Sequence, residues 1–285
     1  MSGFRLALCC ALAAPLGAGQ ITAPEGLPAP IRELTHQASL FWGAAPNWYC
    51  QETLRQRSAA APRKPRRLHL SLAGAPSTEP ASREIVSWYG FSGYGQNAEA
   101  IRELREIVSV DGKPVSRQTS PDGFLKILRG RDDVARQSLV ETFRSTTIGD
   151  APLDFGQIVM LFTRRSIERY TFTPAGTDLV GAERVVVYRY SQQTGSPGLH
   201  LDGNTIPLTG AVYLRNADAA PLRISVAAVR KDKTETRDEI QVDYEEMAHG
   251  AILPASLVHR RFVDGKLFSE DRAQYSDWRP VRPGQ

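Results

Sequence analysis

Two stretches decide how this chain folds: Leu222-Arg-Ile-Ser-Val-Ala-Ala228 and Ile240-Gln-Val-Asp-Tyr-Glu245. In the first, Leu222, Ile224, Val226 and Ala228 alternate with Arg223, Ser225 and Ala227. In the second, Ile240, Val242 and Tyr244 alternate with Gln241, Asp243 and Glu245. A period of two belongs to a β-strand with one face on a core and the other in water. The pattern extends in both directions. Upstream lie Ile167 to Thr173, closed by a turn at Pro174-Ala-Gly176, then Glu183 to Gln192, then Gly210 to Arg215. Downstream, Ser256 to Val263 turns at Asp264-Gly265 into Lys266 to Tyr275. Strands joined by short turns predict an antiparallel meander, because parallel strands would need crossover helices for which this region leaves no room.

Further toward the N-terminus the elements are mixed. Asn47 to Arg57 and Ile85 to Tyr94 have strand character, and Leu68, Leu70 and Leu72 alternate. The segment from Ala98 to Val108 is ambiguous, since Ile101, Leu104 and Val108 would share a helix face. The Asp111-Gly112 pair is a hairpin signal, and it favours a strand over 104–110. Ile31, Leu34, Ala38, Leu40, Phe41 and Trp42 follow helical spacing behind Pro30, which predicts a helix ending near Gly43. In the middle, Asp132 or Asp133 caps a helix running to Thr147, and Asp154 caps a second over Gly156 to Phe162. The fold class is therefore α+β.

The N-terminus carries an address. Arg5 precedes an apolar run from Leu6 to Ala18, and small residues at 17–19 offer a cleavage site. This is the pattern of a secretory signal peptide over residues 1–19, followed by a single domain over 20–285. Cys9 and Cys10 leave with the signal, so the mature chain keeps Cys50 alone and has no internal disulfide. Cys50 is expected to be a small buried hydrophobe on a strand. No later stretch has the length of a transmembrane helix. These features place the protein in the periplasm or outside the cell.

Of 285 residues, 41% are hydrophobic and 8% aromatic, which excludes a wholly disordered chain. The 35 Lys and Arg against 31 Asp and Glu give a net charge of +4, too mild for a dedicated nucleic-acid binder. The run Arg63-Lys-Pro-Arg-Arg67 is expected to be a solvated linker.

Four segments carry a family resemblance: Leu179-Val-Gly-Ala-Glu-Arg-Val-Val-Val-Tyr-Arg-Tyr190, Gly210-Ala-Val-Tyr-Leu-Arg215 running on to Ile224, Val242-Asp-Tyr-Glu-Glu-Met-Ala-His-Gly-Ala-Ile-Leu-Pro-Ala255, and Gln274-Tyr-Ser-Asp-Trp278. With the exported N-terminus and the mid-chain helices, this succession resembles the lipoprotein carrier and receptor half-barrels of the LolA/LolB/RseB-like fold. The chain lacks the lipid-attachment cysteine of the receptor branch. The resemblance implies a curved antiparallel sheet, a half-barrel, with N-terminal and mid-chain helices across its concave face. It implies a non-enzymatic binding protein that needs no cofactor and holds a lipid, a lipoprotein acyl chain or another hydrophobic ligand. A sensor or interaction module for an envelope protein partner is the alternative.

On that reading Phe41, Trp42, Val159, Leu161 and Phe162 are lid candidates. Val185, Val187, Val212, Leu214 and Leu222 are candidates for the concave lining, as are Ile224, Val226, Ile240, Val242 and Tyr244. An unrecognised enzyme is the remaining possibility. His200-Leu-Asp202 lacks further metal ligands at a recognisable spacing, and His36, His69, His249 and His259 are expected to be solvated. There is no Gly-x-Ser-x-Gly elbow. Gly90-Phe-Ser-Gly-Tyr-Gly95 lacks the Lys-Ser/Thr ending of a phosphate loop, so its glycines belong to a sheet edge or bulge.

Overall fold

A computed structural model of the chain describes residues 26–59, 81–93, 101–115, 120–130, 132–149, 152–193, 199–201, 204–231, 234–247 and 250–281. Helix α1 (Ala29–Ala44) has Pro30 in its first turn, where a missing N–H goes unnoticed. Strands β1 (Trp48–Ser58), β2 (Ala81–Gly93), β3 (Ile101–Val110) and β4 (Lys113–Pro114) follow, then helices α2 (Asp122–Arg129) and α3 (Asp133–Thr146). The rest is β5 (Tyr170–Val180), β6 (Glu183–Gln192), β7 (Leu199–Leu201), β8 (Asn204–Ile206), β9 (Leu208–Arg215), β10 (Pro221–Lys231), β11 (Glu235–Glu246), β12 (Ile252–Val263) and β13 (Lys266–Pro280).

One antiparallel sheet of 11 strands runs in the order β4-β3-β2-β1-β13-β12-β11-β10-β9-β6-β5, and it does not close into a barrel. It consists of two meanders joined where β1 pairs with β13, for example Leu54 opposite Ala273. Among the described residues β7 and β8 pair only with each other. Register follows the alternation: Ile224 stands opposite Val242, and Val226 opposite Ile240. Two hairpins use the Asp-Gly signal. Asp111-Gly112 and Asp264-Gly265 have φ of 51°, 73° and 49°, 74°, the left-handed pair that matches strand twist.

The sheet is strongly curved, and one residue proves it. The N–H of Gly156 donates to Glu103 Oε1 on β3 at 2.6 Å, and its carbonyl accepts from Tyr244 Oη on β11 at 3.2 Å. β3 and β11 are five places apart in the sheet, which in a flat sheet is roughly 24 Å. Phe41 of α1 bridges a similar gap, 5.3 Å from the ring of Phe91 on β2 and 6.5 Å from that of Tyr244. The apolar face of the sheet thus wraps α1 and residues 155–162 in one continuous core.

Several expectations are corrected. The helix expected over 156–162 is a 3-10 turn, Ile158–Phe162. Asp154 caps no helix; it has φ 62° and accepts the N–H of Glu103. The segment gives its own donors to side chains of the sheet, which removes the need for helical bonds. No turn separates Pro174 from Thr177. β5 runs through, with a register shift there that absorbs the extra residues. The strand expected over 104–110 begins at Ile101. Helix α3 is capped by Asp132, whose carboxylate accepts the N–H of Ala135.

Helix α2 was not expected, and it lies on the opposite face of the sheet. Its Phe124 and Leu128 pack with Tyr49 and Leu104 in a second, smaller core. Gly90 permits this approach, since a Cβ there would stand 3.0 Å from Leu128 Cδ1 and 3.2 Å from the Trp48 carbonyl. The chain then crosses the β3 edge, and Phe143 of α3 joins the concave core. The mid-chain helices therefore embrace the edge rather than lying together on the concave face. The signal peptide over 1–19, the strand at 68–72, the basic run at 63–67 and the histidines at 69 and 249 lie outside the described residues.

Candidate functional site

The concave face divides into an apolar half and a charged half. On β9, β10 and β11, Val212, Leu214, Ile224, Val226, Ile240, Val242 and Tyr244 all lie in the concave core. The lid candidates Phe41, Val159, Leu161 and Phe162 cover them. Trp42 does not; it is 41% exposed on the outer side of α1. Val185 and Val187 are buried, but on the wrong side. They stand opposite Arg215 and Tyr213, while Val186, Tyr188 and Tyr190 share the face of Leu214, Val212 and Gly210. Three consecutive valines carry no phase, so alternation could not choose between the faces. Leu222 sits half-buried at a bulge between β9 and β10.

The charged half has two centres. At the first, Arg105 on β3 bonds Glu52 through Nε at 2.7 Å and Nη2 at 2.9 Å, and Glu103 through Nη2 at 2.9 Å. The guanidinium is sandwiched between the rings of Tyr89 and Phe143, 4.8 and 4.7 Å from their centroids. All three charged side chains are almost fully buried. Burial pushes the Glu103 carboxyl up to about 7; Arg105 pulls against the rise, and Asp154 and Glu52 add to it. Two carboxylates around one buried cation leave an excess charge that the interior resists.

At the second centre His259 on β12 lies between two carboxylates, with Nδ1 3.0 Å from Asp271 and Nε2 2.9 Å from Asp238. This corrects the expectation of a solvated histidine: only 3% of it is exposed. Burial lowers the imidazole pKa, but the hydrogen bonds and charges of Asp238 and Asp271 outweigh that and raise it. Arg261 also donates to Asp238, at 2.9 Å, and Gln56 Nε2 donates to Asp271 at 2.8 Å. Both ring nitrogens face carboxylates, which favours the imidazolium and commits both nitrogens to it. The ring is thus held in place from both of its nitrogens, and its charged form is favoured over that of a free imidazole. Among the described residues no group of three or more His, Cys, Asp or Glu is arranged to hold a metal.

Both centres grip a strap, residues 152–162, and the chain leading into it. Gln56 Oε1 accepts the N–H of Ile148 at 2.9 Å. Glu103 accepts the N–H groups of Asp154 at 3.0 Å and Gly156 at 2.6 Å. Arg102 pairs with Asp154 at 2.6 Å. Phe155 sets its ring edge-on to His259, with centroids 5.0 Å apart. Tyr244 Oη accepts the N–H of Val159 at 3.2 Å. The strap thus fills the apolar half with Ile158 to Phe162 and is fastened by side chains of the charged half.

Of the fastening residues, Tyr244 is expected from the sequence as part of the concave lining, whereas Gln56, Arg102 and Glu103 are not. Glu52 and Gln56 do follow the inward phase of Cys50 and Leu54 on β1, and Glu103 and Arg105 share one phase on β3. Charges on a core phase were the signal available in the sequence. Cys50 is fully buried, as expected.

The chain resembles several solved structures at low identity. An outer membrane lipoprotein-sorting domain assignment from Vibrio parahaemolyticus is 10% identical over 88% of this chain and 91% of its own length, with a TM-score of 0.38. A DUF1329 family protein from Desulfovibrio piger is 9% identical over 88% and 92%, with a TM-score of 0.39. A LolA superfamily protein from Nitrosomonas europaea is 8% identical over 90% and 94%, with a TM-score of 0.32. No protein-family model matches the sequence, and no curated protein does.

Proposed function

We propose that this chain is an exported, non-enzymatic binding protein that holds a lipid or a lipoprotein acyl chain against the concave face of its half-barrel when the strap lifts. The observation that carries this reading is the strap. Ile158, Val159, Met160, Leu161 and Phe162 are all buried, yet they form only a 3-10 turn and pair with no strand. A segment held by a few side-chain bonds is an exchangeable filler for an apolar trough. An acyl chain gains roughly 0.8 kcal/mol per methylene it buries, enough to compete for that place reversibly. The doubly committed His259 supports a binding role over a catalytic one. Export rests on Arg5 and the apolar run behind it. Among the described residues no helix is long and apolar enough to cross a membrane.

Titration with a fluorescent fatty acid, alongside thermal melting, tests this reading. Val226→Ala is expected to weaken the probe more than it lowers the melting temperature. A lower melting temperature with no probe binding in either protein refutes it.

Among the described residues β5 pairs only with β6, and that edge of the sheet favours a second reading. Most of β5 beyond Tyr170 is exposed, and Leu179 is 60% exposed. A partner could add a strand there, limited by Pro174 to the 177–180 end. Native mass spectrometry of material from the source cell separates the two, since a lipid and a protein partner differ in mass.

A further inference from the structure

At the β3 end of the concave face, four polar groups are buried without a hydrogen-bond partner among the described residues: Arg105 Nη1, Tyr89 Oη, Tyr275 Oη and Ser87 Oγ. Buried polar groups are nearly always paired, and each exception asks for a reason. These four stand together. The Tyr89 and Tyr275 rings are 4.7 Å apart, Arg105 lies over Tyr89, and Ser87 stands opposite Glu52 in the register of β1 and β2. The strap roofs them, since a Cβ on Gly156 would lie 2.7 Å from Tyr89 Oη. Gly156 of the strap closes over Tyr89, and Phe143 of α3 covers Arg105, at the end of the trough that the apolar filler leaves to charge.

We infer that Arg105 Nη1 with the hydroxyls of Tyr89, Tyr275 and Ser87 forms a polar subsite for the uncharged acceptor head of the ligand, an ester or amide carbonyl, whose chain takes the place of the strap. The inference rests on the proposed function and adds the chemical class of the head group. Three features select a neutral acceptor. First, Arg105 Nη1 can only donate, and the three hydroxyls can each turn a proton toward the same acceptor. Burial pushes both phenols well above their ordinary range, so they stay protonated. Second, Glu52 and Asp154 already balance Arg105 and Arg102, and burial beside them pushes the Glu103 carboxyl up to about 7, so an incoming carboxylate would meet the same resistance to a further negative charge. Third, Nε and Nη2 of Arg105 are committed to Glu52 and Glu103, so the guanidinium has no fork left for a carboxylate or phosphate.

Competition against N-phenyl-1-naphthylamine, a neutral apolar fluorophore, tests this on the full chain with methyl laurate, laurate and dodecane. Methyl laurate is expected to bind about five- to tenfold more tightly than dodecane, the net value of about one hydrogen bond, and no more weakly than laurate. In Tyr89→Phe and Tyr275→Phe the ester-to-dodecane ratio should fall toward one, and the melting temperature should not fall, because each removes a hydroxyl that has no partner. A purely structural role would lower melting and both affinities alike and leave the ratio intact. An unchanged ratio in the double variant, equal binding of ester and dodecane, or tightest binding of laurate overturns the subsite while leaving the binding function standing. Failure of all three to displace the fluorophore overturns the proposed function, and the subsite with it.

Discussion

The carboxylate of Glu103 accepts the N–H of Asp154 at 3.0 Å, and the carboxylate of Asp154 accepts the N–H of Glu103 at 3.1 Å. This reciprocal pair does for a sheet edge what a capping box does for a helix end: each side chain satisfies the other's backbone donor. Among the described residues β4 pairs only with Ser109 and Val110, so the rest of β3 would otherwise offer open donors. The strap therefore protects the edge and fills the trough with the same few residues. Asp154 tolerates φ 62° because Asp is among the side chains that enter the left-handed region with least strain.

Gly156 is the position where this fastening is least forgiving. A Cβ there would meet Tyr89 Oη at 2.7 Å and Glu103 Oε1 at 2.8 Å, whereas one at Gly93 would meet nothing within 4 Å. Gly156→Ala should lower the melting temperature and speed hydrogen exchange of the 156–159 amides; Gly93→Ala should do neither. Glu103→Ala strands buried donors of Arg105 and the strap, and should cost about 3–5 kcal/mol in urea unfolding. Slow exchange of the strap amides in Gly156→Ala would contradict the clamp.

Stability should fall as pH rises from mildly acidic to mildly basic. Glu103 has a folded pKa of about 7 against 4.5 unfolded, so its contribution is complete below 4.5 and lost as pH climbs to 7. His259 is raised above 6.5, so its contribution is complete below 6.5 and lost above it, in the same direction. Burial raises the Asp238 pKa, but His259 and Arg261 outweigh that and hold it below 3.8, so its contribution is lost only in stronger acid. Urea unfolding at about pH 5 and about pH 8 should give the larger free energy at the lower pH. Glu103→Gln should flatten the lower part of the slope and His259→Gln the upper part. A wild-type profile that rises over this range would refute the assignment.

The apolar half of the site was legible in the sequence and the charged half was not. Ile224, Val226, Ile240 and Val242 alternate with polar neighbours, and register did the rest, because a one-residue slip would turn them all to water. Val185 to Val187 had no polar neighbour to set the phase, and two of the three were assigned to the wrong face. Glu52, Glu103, Arg105 and His259 lie on the same inward phases as apolar residues, but a charge on a core phase is satisfied only by partners distant in sequence. Arg105 reaches Glu52 across 53 positions, and the strap meets β3 across 51. Periodicity reads neighbours along one strand, and such pairings are outside its reach.

Cys50 should behave as a buried thiol. It is fully buried on β1, and burial raises its pKa well above the ordinary range, with the charge of Glu52 adding to the rise. Little thiolate is present at neutral pH, and little of the thiol can be reached. An aromatic disulfide reagent should label Cys50 in urea within minutes but only at the rate of unfolding in native buffer. Fast native labelling, absent in Cys50→Ser, would show that β1 opens readily.

The register of β10 and β11 predicts a sharp asymmetry between adjacent residues. Ile240 faces the concave core, 3% exposed, with Val226 on one side and His259 on the other. Gln241 faces outward, half-buried, with Nε2 3.4 Å from Asp243. Ile240→Asp places an unpaired carboxylate in an apolar layer beside Val226 and should cost about 3–5 kcal/mol. The nearby imidazolium does not rescue it, since both nitrogens of His259 already serve Asp238 and Asp271. Gln241→Asp adds only a like charge near Asp243, on a face where Arg223 bonds Asp243 at 2.6 and 2.9 Å, and should cost well under about 1 kcal/mol. Urea unfolding of both variants at one pH decides the matter. Equal costs would mean that the two strands are not phased as the pairing Val226 to Ile240 requires, and the concave face would then be lined by other residues.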